Sequence, residues 1–449
     1  MKKRPNILFL MSDEHRFDVA GFAGNDIVRT PTLDWLAKDG VVFTNAYTPA
    51  PSCIPARQCM AAGQLPRTCK CERYGDDLTP EYMTFARRFS QYAYKTVCCG
   101  KLHHMGIDQL QGWMHYRSIH NNLNPRYLKG RVEEEFKKYA DMDAIDPMTG
   151  KPDETKKWSN TREVLRAGVG ESPHDTHDEF ATWGALEFLK RHFTDPFYDR
   201  CNYSAPLMLK LSLCLPHYPF LIDEDRLTYY LNRVKMYENK TVFDHPDLSQ
   251  RHVDASERDI IRAIAAYYGM IEKVDWRYSQ VLDTLRKYNQ DLDDWIIIYT
   301  TDHGDMLGEH GIWEKQRFFE GSVRVPLIIR WPKGFKGGRV VDKNVNLCDL
   351  FATLCELADI PVPDGLESRS LVPLLNGDDS NWDNETVSEL NGNIMIKRDA
   401  LKYQYYGPTM PEVLFDLDRD PTESENFIDD PKYAEALIKF RQRKVELGF

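Results

Sequence analysis

The sequence has no long hydrophobic run. Of its 449 residues, 42% are hydrophobic and 28% are charged, and its apolar segments stop well short of the roughly 20 residues that a membrane-spanning helix needs. Residues 1–4 are basic and residues 7–11 are apolar, which resembles a signal peptide only superficially. The apolar part is too short, and Ser12 to His15 follow it without a small-residue cleavage site. We therefore expect neither a signal peptide nor a membrane partner.

An excess of positive charge is also missing. The chain has 58 Lys and Arg against 69 Asp and Glu, which gives a net charge of -11. Nucleic-acid-binding proteins usually carry a basic patch or stripe, and no such stripe stands out here. The composition therefore excludes nucleic acid as the expected partner and leaves any anion-binding site to local geometry.

The cysteines form no Cys-x-x-Cys motif. Ten are present, at positions 53, 59, 69, 71, 98, 99, 201, 214, 348 and 355. The set fits neither a disulfide framework nor a zinc knuckle and indicates a reducing compartment. Together with the missing signal peptide, this predicts a cytoplasmic protein. No feature of the sequence specifies its oligomeric state.

The order of apolar and amphipathic segments is typical of an α/β fold. Continuous apolar runs predict strands buried on both faces. Strands are predicted near residues 6–11, 40–47, 96–99, 207–215 and 295–301, and helices near residues 30–37, 79–94 and 264–287. A chain of 52.3 kDa can bury a large core. We expect a large, mostly parallel central sheet sandwiched by helices, with a small C-terminal αβ subdomain.

The segment from Pro51 to Gly63 changes from a loop to a helix near Cys53. Pro55 suits the first turn of a helix, and Gly63 suits its C-terminal end. Cys53 is therefore predicted at a helix N-terminus, where backbone N–H groups favour negative charge, and Arg57 lies one turn further along. This combination predicts a site for an anionic substrate. A small buried hydrophobe is the alternative interpretation of Cys53.

Acidic residues and a histidine follow two apolar predicted strands. Asp13 and Glu14 come after the first strand, and Asp302 and His303 come after the most β-branched one. Open α/β sheets place ligand-binding groups at the carboxyl ends of their strands. Such a cluster suits Ca²⁺, Mg²⁺ or Mn²⁺. The alternative for the first acidic pair is a helix N-cap.

Lysine and histidine side chains follow two further predicted strands. Lys101 and His103 come after one, and His217 lies in the run Pro-His-Tyr-Pro after the other. Prolines hold a histidine in a rigid loop, as a general acid requires. A turn with solvated side chains is the alternative for the first pair, and a structural histidine is the alternative for His217.

Two motifs make the chain similar to a known family. Residues 53–57 read Cys-x-Pro-x-Arg, and residues 302–315 read Asp-His-Gly-Asp-x-Leu-Gly-Glu-His-Gly-x-Trp-x-Lys. Segments 324–329, 349–354, 370–375 and 414–421 also agree. In these features the chain resembles the type I, formylglycine-dependent sulfatases of the alkaline-phosphatase-like superfamily, and the resemblance spans nearly the whole chain.

The resemblance implies a site and a reaction. Cys53 would be converted to formylglycine by a formylglycine-generating maturation enzyme, and the metal-bound gem-diol would attack a small anionic sulfate ester. The implied catalytic residues are Cys53, Arg57, Lys101, His103, His217 and Lys315. The implied ligands of one divalent metal, Ca²⁺ being expected and Mg²⁺ or Mn²⁺ possible, are Asp13, Glu14, Cys53, Asp302 and His303.

The chain departs from the family pattern at three places. Many members have a second aspartate at Glu14, asparagine at His303 and serine at Ala56. The Asp-His pair is also similar to that of phosphonate monoester hydrolases, and several sulfatase branches have it too. Hydrolysis of phosphonate monoesters or phosphodiesters on the same site is therefore the alternative within enzymes, and a non-catalytic metal-binding relative is the alternative outside them.

The resemblance and the composition also predict a domain organisation. Residues 1–375 would form the catalytic domain, and residues 376–449 would form the small C-terminal subdomain. Residues 107–200 are rich in charged residues and tyrosine and have few apolar runs. We expect this stretch to be a surface insertion that shapes the substrate pocket.

Overall fold

The structure is a computed structural model that describes residues 4–118, 127, 160–194, 205–237, 245–246, 248 and 253–449. The middle of the predicted insertion, residues 119–126 and 128–159, and its last residues, 195–200, lie outside the described residues. Within the described part, each helix is too short or too polar to cross a membrane.

The strands form one large sheet and two small ones. They are β1 (Asn6–Ser12), β2 (Val41–Tyr47), β3 (Lys95–Gly100), β4 (His115–Arg117), β5 (Gly168–Val169), β6 (Leu207–Ser212), β7 (Leu221–Ile222), β8 (Trp295–Thr301), β9 (Arg324–Arg330), β10 (Arg339–Val341), β11 (Val345–Asn346), β12 (Glu385–Leu390), β13 (Asn393–Arg398), β14 (Leu401–Tyr405) and β15 (Val413–Asp416). The large sheet has the order β10-β2-β9-β8-β1-β6-β3-β4, with β11 paired to β2. Its described pairs are parallel except those of β9, which runs antiparallel to β2 and β8. The prediction of a mostly parallel sheet is confirmed.

Helices cover both faces of the large sheet. They are α1 (Pro31–Asp39), α2 (Cys53–Ala62), α3 (Pro66–Cys69), α4 (Phe85–Gln91), α5 (Asn160–Leu165), α6 (Pro173–Thr194), α7 (Glu224–Leu231), α8 (Glu257–Lys287), α9 (Glu320–Val323), α10 (Leu350–Leu357), α11 (Val372–Asn376) and α12 (Ala434–Glu446). Alternate residues of β1 enter opposite cores, because side chains alternate along a strand. Leu8 packs in the core that contains α8, and Phe9 packs in the core that contains α2, α4 and α10.

Two predicted helices differ from the observed ones at their ends. The helix predicted over residues 79–94 begins only at Phe85, because the Thr84 side chain caps it by accepting from the N–H of Arg87. The helix predicted from residue 264 begins at Glu257, after a capping box between Ser256 and Asp259. Both differences arise from capping side chains.

The C-terminal part of the chain contains the small antiparallel sheet β12-β13-β14-β15. The last helix, α12, packs on this sheet, and the ring of Phe440 stacks on that of Tyr403 with centroids 5.6 Å apart. Buried Lys402 joins the sheet to the rest of the chain, since its Nζ lies 2.8 Å from Glu320 and 2.6 Å from Glu423. The predicted C-terminal αβ unit is confirmed as a fold element, and a domain boundary at residue 375 stays a prediction.

Candidate active site

The site begins where two neighbouring parallel strands end. In the β1–β8 pair, Ser12 is in register with Thr301. Asp13 and Asp302 therefore leave the sheet at the same level, and both carboxylates are fully buried. The backbone N–H of Glu14 donates to Oδ1 of Asp302 at 3.1 Å, which holds the two strand ends together.

The N-terminal end of α2 lies against these carboxylates. Cys53 is the first residue of the helix, and its Sγ lies 3.6 Å from Oδ1 of Asp13 and 3.1 Å from Nε2 of His303. Arg57 follows one turn later and binds both acids, with Nη2 2.8 Å from Oδ2 of Asp13 and Nε 2.7 Å from Oδ2 of Asp302. Burial, and then Asp13, raises the pKa of the Cys53 thiol to about 11, so the thiol is protonated at neutral pH.

The cluster at Cys53 has the donor set of a cation site. One donor atom from each of Asp13, Cys53, Asp302 and His303 lies within 4.8 Å of the others, and all four residues are buried. Nδ1 of His303 lies 2.9 Å from the carbonyl oxygen of Gly304. That hydrogen bond leaves the Nε2 lone pair directed at the cluster, as in metal-binding histidines. Two carboxylates beside an imidazole fit a divalent cation.

Lys101 lies on the other side of Asp13. It follows Gly100, which has a φ of +94° and leaves no room for a Cβ, because that atom would lie 1.9 Å from the carbonyl oxygen of Ser212. Nζ of Lys101 lies 2.8 Å from Oδ2 of Asp13. Burial alone would raise the pKa of Asp13, but Lys101 and Arg57 hold it well below its usual range. Asp13 is therefore ionised.

Glu14 lies beside the four-residue cluster, and one of its carboxylate oxygens forms a second group of candidate donor atoms with Asp13 and His217. Its Oε2 lies 2.8 Å from Nζ of Lys315 and 3.4 Å from Nε2 of His217. Its Oε1 is buried and has no hydrogen-bond partner among the described residues. Burial, opposed by Lys315, raises the pKa of Glu14 well above its usual range. Its role as a metal ligand stays a prediction.

His217 and Lys315 face each other across this carboxylate. Nε2 of His217 lies 2.8 Å from Nζ of Lys315, and Nδ1 lies 2.7 Å from the carbonyl oxygen of Tyr218. Nδ1–H can therefore donate to Tyr218 while Nε2 accepts from the lysine. Burial, and then Lys315, holds the pKa of His217 well below its usual value. Burial would lower the pKa of Lys315, but the carboxylate of Glu14 beside it helps to raise that pKa well above the usual value, so Lys315 is the cation.

His103 follows the same strand end as Lys101. It is buried, with a backbone φ of +63°. Its ring lies edge-on to that of Tyr74 with centroids 5.9 Å apart, and its carbonyl oxygen accepts from Nε2 of Gln58 at 3.4 Å. These contacts fix the loop after β3 beside α2. The predicted role of His103 at Cys53 stays a prediction.

The sequence reasoning missed two residues of α6. Asp178 accepts from the backbone N–H of Cys214 at 2.6 Å and of Leu215 at 2.9 Å, in the loop that leads to His217. The ring of His174 lies edge-on to that of His217 with centroids 5.0 Å apart. Both lie in the stretch predicted as an insertion, and no pattern in the sequence links them to His217.

Comparison with known proteins decides the family. A family model described as Sulfatase matches residues 5–360, and one described as N-sulphoglucosamine sulphohydrolase, C-terminal, matches residues 308–448. The chain belongs to the sulfatase family. This assignment confirms the predicted resemblance and the prediction of a sulfuric ester hydrolase.

Relatives with curated names agree with this sulfatase assignment. The chain is 30% identical to an arylsulfatase of Clostridium perfringens (strain 13 / Type A), over 98% of this chain and 93% of that one. It is 31% identical to a choline-sulfatase of Rhizobium meliloti (strain 1021), over 96% of this chain and 83% of that one. Both matches span the catalytic and C-terminal parts.

Solved structures share the fold of this sulfatase. The phosphonate monoester hydrolase of Agrobacterium radiobacter matches with a TM-score of 0.77 and 23% identity, over 99% of this chain and 95% of that one. A protein solved in complex with its substrate D-glucosamine-2-N,6-O-disulfate matches with a TM-score of 0.75 and 20% identity, over 99% of this chain and 97% of that one. At these identities the likeness speaks for the fold alone.

Proposed function

We propose that the protein hydrolyses a sulfate ester to an alcohol and sulfate at the site around Cys53. One observation carries the proposal. The first residue of α2 is a cysteine whose Sγ lies 3.1 Å from His303 and 3.6 Å from Asp13, within a buried set of metal-ligating side chains. Such a sulfur position brings a nucleophile, a cation site and a helix N-terminus to one point.

Two groups would complete this site. A divalent cation held by Asp13, Asp302, His303 and residue 53 would lower the pKa of a hydroxyl beside it and offset the charge of the ester. Formylglycine made from Cys53 would supply a hydrated aldehyde, and one hydroxyl of that hydrate would be the hydroxyl beside the cation. Ca²⁺ as the cation, the maturation enzyme that makes formylglycine and the cytoplasmic location stay predictions.

Three basic side chains would offset the negative charge of the transferring group. Arg57 is fixed by Asp13 and Asp302, and Lys101 is fixed by Asp13. Lys101 and Lys315 lie close enough to Cys53 to oppose the rise in its pKa. Fixed cations around a buried reacting group stabilise the charge that develops on its oxygens.

The contact between His217 and Lys315 would supply the proton for the leaving alcohol. Lys315 is protonated, and its Nζ lies 2.8 Å from Nε2 of His217. A proton can therefore be held between the two nitrogens and passed from Nε2 to the leaving oxygen. His103 would take the proton of the second hydroxyl at residue 53, which allows sulfate to leave.

The charge of the site supports an anionic ester as the substrate. Arg57, Lys101, Lys315 and a divalent cation would carry five positive charges, and Asp13, Glu14 and Asp302 up to three negative ones, which leaves an excess of about two when Glu14 is ionised and about three when it is neutral. Sulfate esters and phosphonate monoesters each carry one negative charge, so this count does not separate the two. Phosphonate monoester hydrolysis is the second candidate, and the Asp302-His303 pair is the observation that favours it.

The experiment that tests the proposal measures sulfate release. Matured protein is incubated with aryl sulfates, choline sulfate and sulfated sugars, and sulfate is quantified by ion chromatography. We expect release from at least one class, and we expect Cys53→Ala to abolish it while the circular dichroism spectrum and the melting temperature stay close to those of the wild type. Equal release by Cys53→Ala would contradict the proposal.

A further inference from the structure

Four buried cysteines gather at the C-terminal half of α2, away from its catalytic end. Cys59 lies in α2, Cys69 ends α3, Cys71 follows two residues later, and Cys348 lies in a short 3-10 turn. They form one cluster with Ala62 and Leu78. The reaction at Cys53 uses none of these four thiols, so their convergence calls for a separate account.

One pair within this cysteine cluster is in direct contact. Sγ of Cys59 lies 3.5 Å from Sγ of Cys69. Cys348 is engaged elsewhere, because its thiol donates to the carbonyl oxygens of Cys59 at 3.6 Å and of Gln64 at 3.2 Å. Hydrogen bonds from Cys59, and then from Cys71, lower the pKa of Cys69 well below its usual value. Cys69 is therefore the thiol of the cluster that is most easily ionised.

The spacing of the sulfurs argues against a metal site. A tetrahedral thiolate site places three or four sulfurs about 2.3 Å from one ion, and hence roughly 4 Å from each other. Among the described residues, the groups of three donor atoms within 4.8 Å of one another include no three of these four cysteines. The geometry suits a bond between two sulfurs better than a shared cation.

We propose that Cys59 and Cys69 form a reversible disulfide. The two sulfurs need to approach by only about 1.5 Å to reach the S–S bond length of about 2.05 Å. Thr68 and Lys70 beside Cys69 are exposed, so a local opening of this surface segment gives a small oxidant access. In a reducing compartment such bonds are transient and redox-sensing.

The oxidant in this proposal is a low-molecular-weight disulfide such as oxidised glutathione. The Cys69 thiolate attacks one sulfur of the oxidant, forms a mixed disulfide and expels one thiolate. The Cys59 thiolate then attacks the Cys69 sulfur and expels the second thiolate, and the two protons lost by the cysteines convert both leaving groups to thiols. Two protein thiols are oxidised, and one small disulfide is reduced to two thiols.

The bond would tie the middle of α2 to the segment that ends at Cys71. Cys53 lies six residues before Cys59 in the same helix. Oxidation would therefore restrain the helix that carries the nucleophile without consuming Cys53 itself. This inference is independent of the reaction proposed for the protein, because it concerns only the thiols behind the active site.

Peptide mapping of the folded wild-type chain tests the proposal. The protein is equilibrated with glutathione at a tenfold excess of oxidised over reduced form, alkylated, digested and analysed by mass spectrometry. We expect a Cys59–Cys69 linked peptide, two fewer alkylated thiols, a melting temperature raised by several degrees, and full reversal by dithiothreitol. A wild-type protein whose Cys59 and Cys69 both remain alkylatable would overturn the proposal.

Variants separate this bond from general oxidation. Cys59→Ala should lose the linked peptide and the rise in melting temperature. Cys71→Ala should keep both, because Cys71 takes no part in the bond. Cys355→Ala is the matched control, because that cysteine is also buried in a helix but lies outside the cluster. Protection of the four thiols by added Zn²⁺ in place of the glutathione-dependent bond would contradict the proposal in favour of a metal site.

Discussion

Nε2 of His217 lies 2.8 Å from Nζ of Lys315, and Oε2 of Glu14 lies 2.8 Å from the same nitrogen. The lysine thus joins a carboxylate at the end of β1 to a histidine in the loop after β6. Because this ammonium donates to the histidine, the two side chains form one proton-holding unit. The role that we assign to His217 depends on that unit.

His217→Asn should lower kcat in a way that depends on the leaving group. An alkyl or sugar alcohol needs a proton as it leaves, whereas an activated phenolate does not. We expect kcat to fall by about 10²–10⁴-fold for choline or sugar sulfates and by about tenfold or less for nitrophenyl sulfate. The measurement is kcat on both substrate classes, and an equal loss on both would show that His217 is not the acid.

Metal removal should abolish activity and lower stability. The carboxylates of Asp13 and Asp302 belong to the buried group of donor atoms that would hold the cation. At one hundred times its dissociation constant, a bound ion adds about 2.7 kcal/mol to the free energy of unfolding. We expect chelation to lower the melting temperature of the wild type and added Ca²⁺ to restore it.

Asp302→Asn should weaken this response to metal, and Asp349→Asn should keep it. Asp349 is a matched control because it is also a buried aspartate, and its carboxylate accepts from the backbone N–H groups of Asn346 and Arg369 and is not one of the candidate metal donors. Melting curves with Ca²⁺, Mg²⁺ and Mn²⁺ check the prediction and rank the ions. A wild-type melting temperature that no divalent ion changes would contradict the proposed site.

Asp178→Asn should reduce catalysis by loosening the loop before His217. The two carboxylate oxygens of Asp178 accept from two consecutive backbone N–H groups, and asparagine keeps only one acceptor. We expect a loss of about 1–3 kcal/mol of stability and about a tenfold fall in kcat with little change in KM. Asp175→Asn, one turn earlier in α6, is the matched control, because Asp175 faces Lys273 and Arg277.

The sequence predicts those parts of the site that depend on strand ends and helix starts. Asp13 and Asp302 follow apolar strands that prove to be parallel neighbours, and Pro55 locates the start of the helix that carries Cys53. The directions of side chains that meet across long stretches of sequence are not encoded locally. Glu14 faces Lys315 over 301 residues, and only the assembled fold brings them together.

Acid should destabilise the protein partly through His310. Its ring stacks on Phe319 with centroids 4.2 Å apart, and burial lowers its pKa to about 4 from the usual 6.5. Between these values the unfolded chain binds more protons than the folded one. His310 therefore contributes stability that is present above pH 6.5 and is lost as the pH falls toward 4. The loss amounts to about 2 kcal/mol at pH 5.

His310→Asn should reduce this pH dependence. Asparagine does not titrate and tolerates the left-handed backbone, with a φ of +57°, at this position. The free energy of unfolding is measured with denaturant at pH 8 and at pH 5. Its decrease from pH 8 to pH 5 should be about 2 kcal/mol smaller in the variant than in the wild type. A decrease in His310→Asn as large as that of the wild type would contradict the assignment of this pH dependence to His310.

The central claim is tested most directly by kcat/KM for sulfate and phosphonate esters of the same phenol on one preparation of matured protein. Mass spectrometry of the peptide containing residue 53 gives the fraction of active, formylglycine-containing sites. We expect a higher kcat/KM for the sulfate ester and activity proportional to that fraction. Faster hydrolysis of the phenyl phosphonate ester than of aryl, choline and sugar sulfates, or full activity with only unmodified cysteine at position 53, would contradict it.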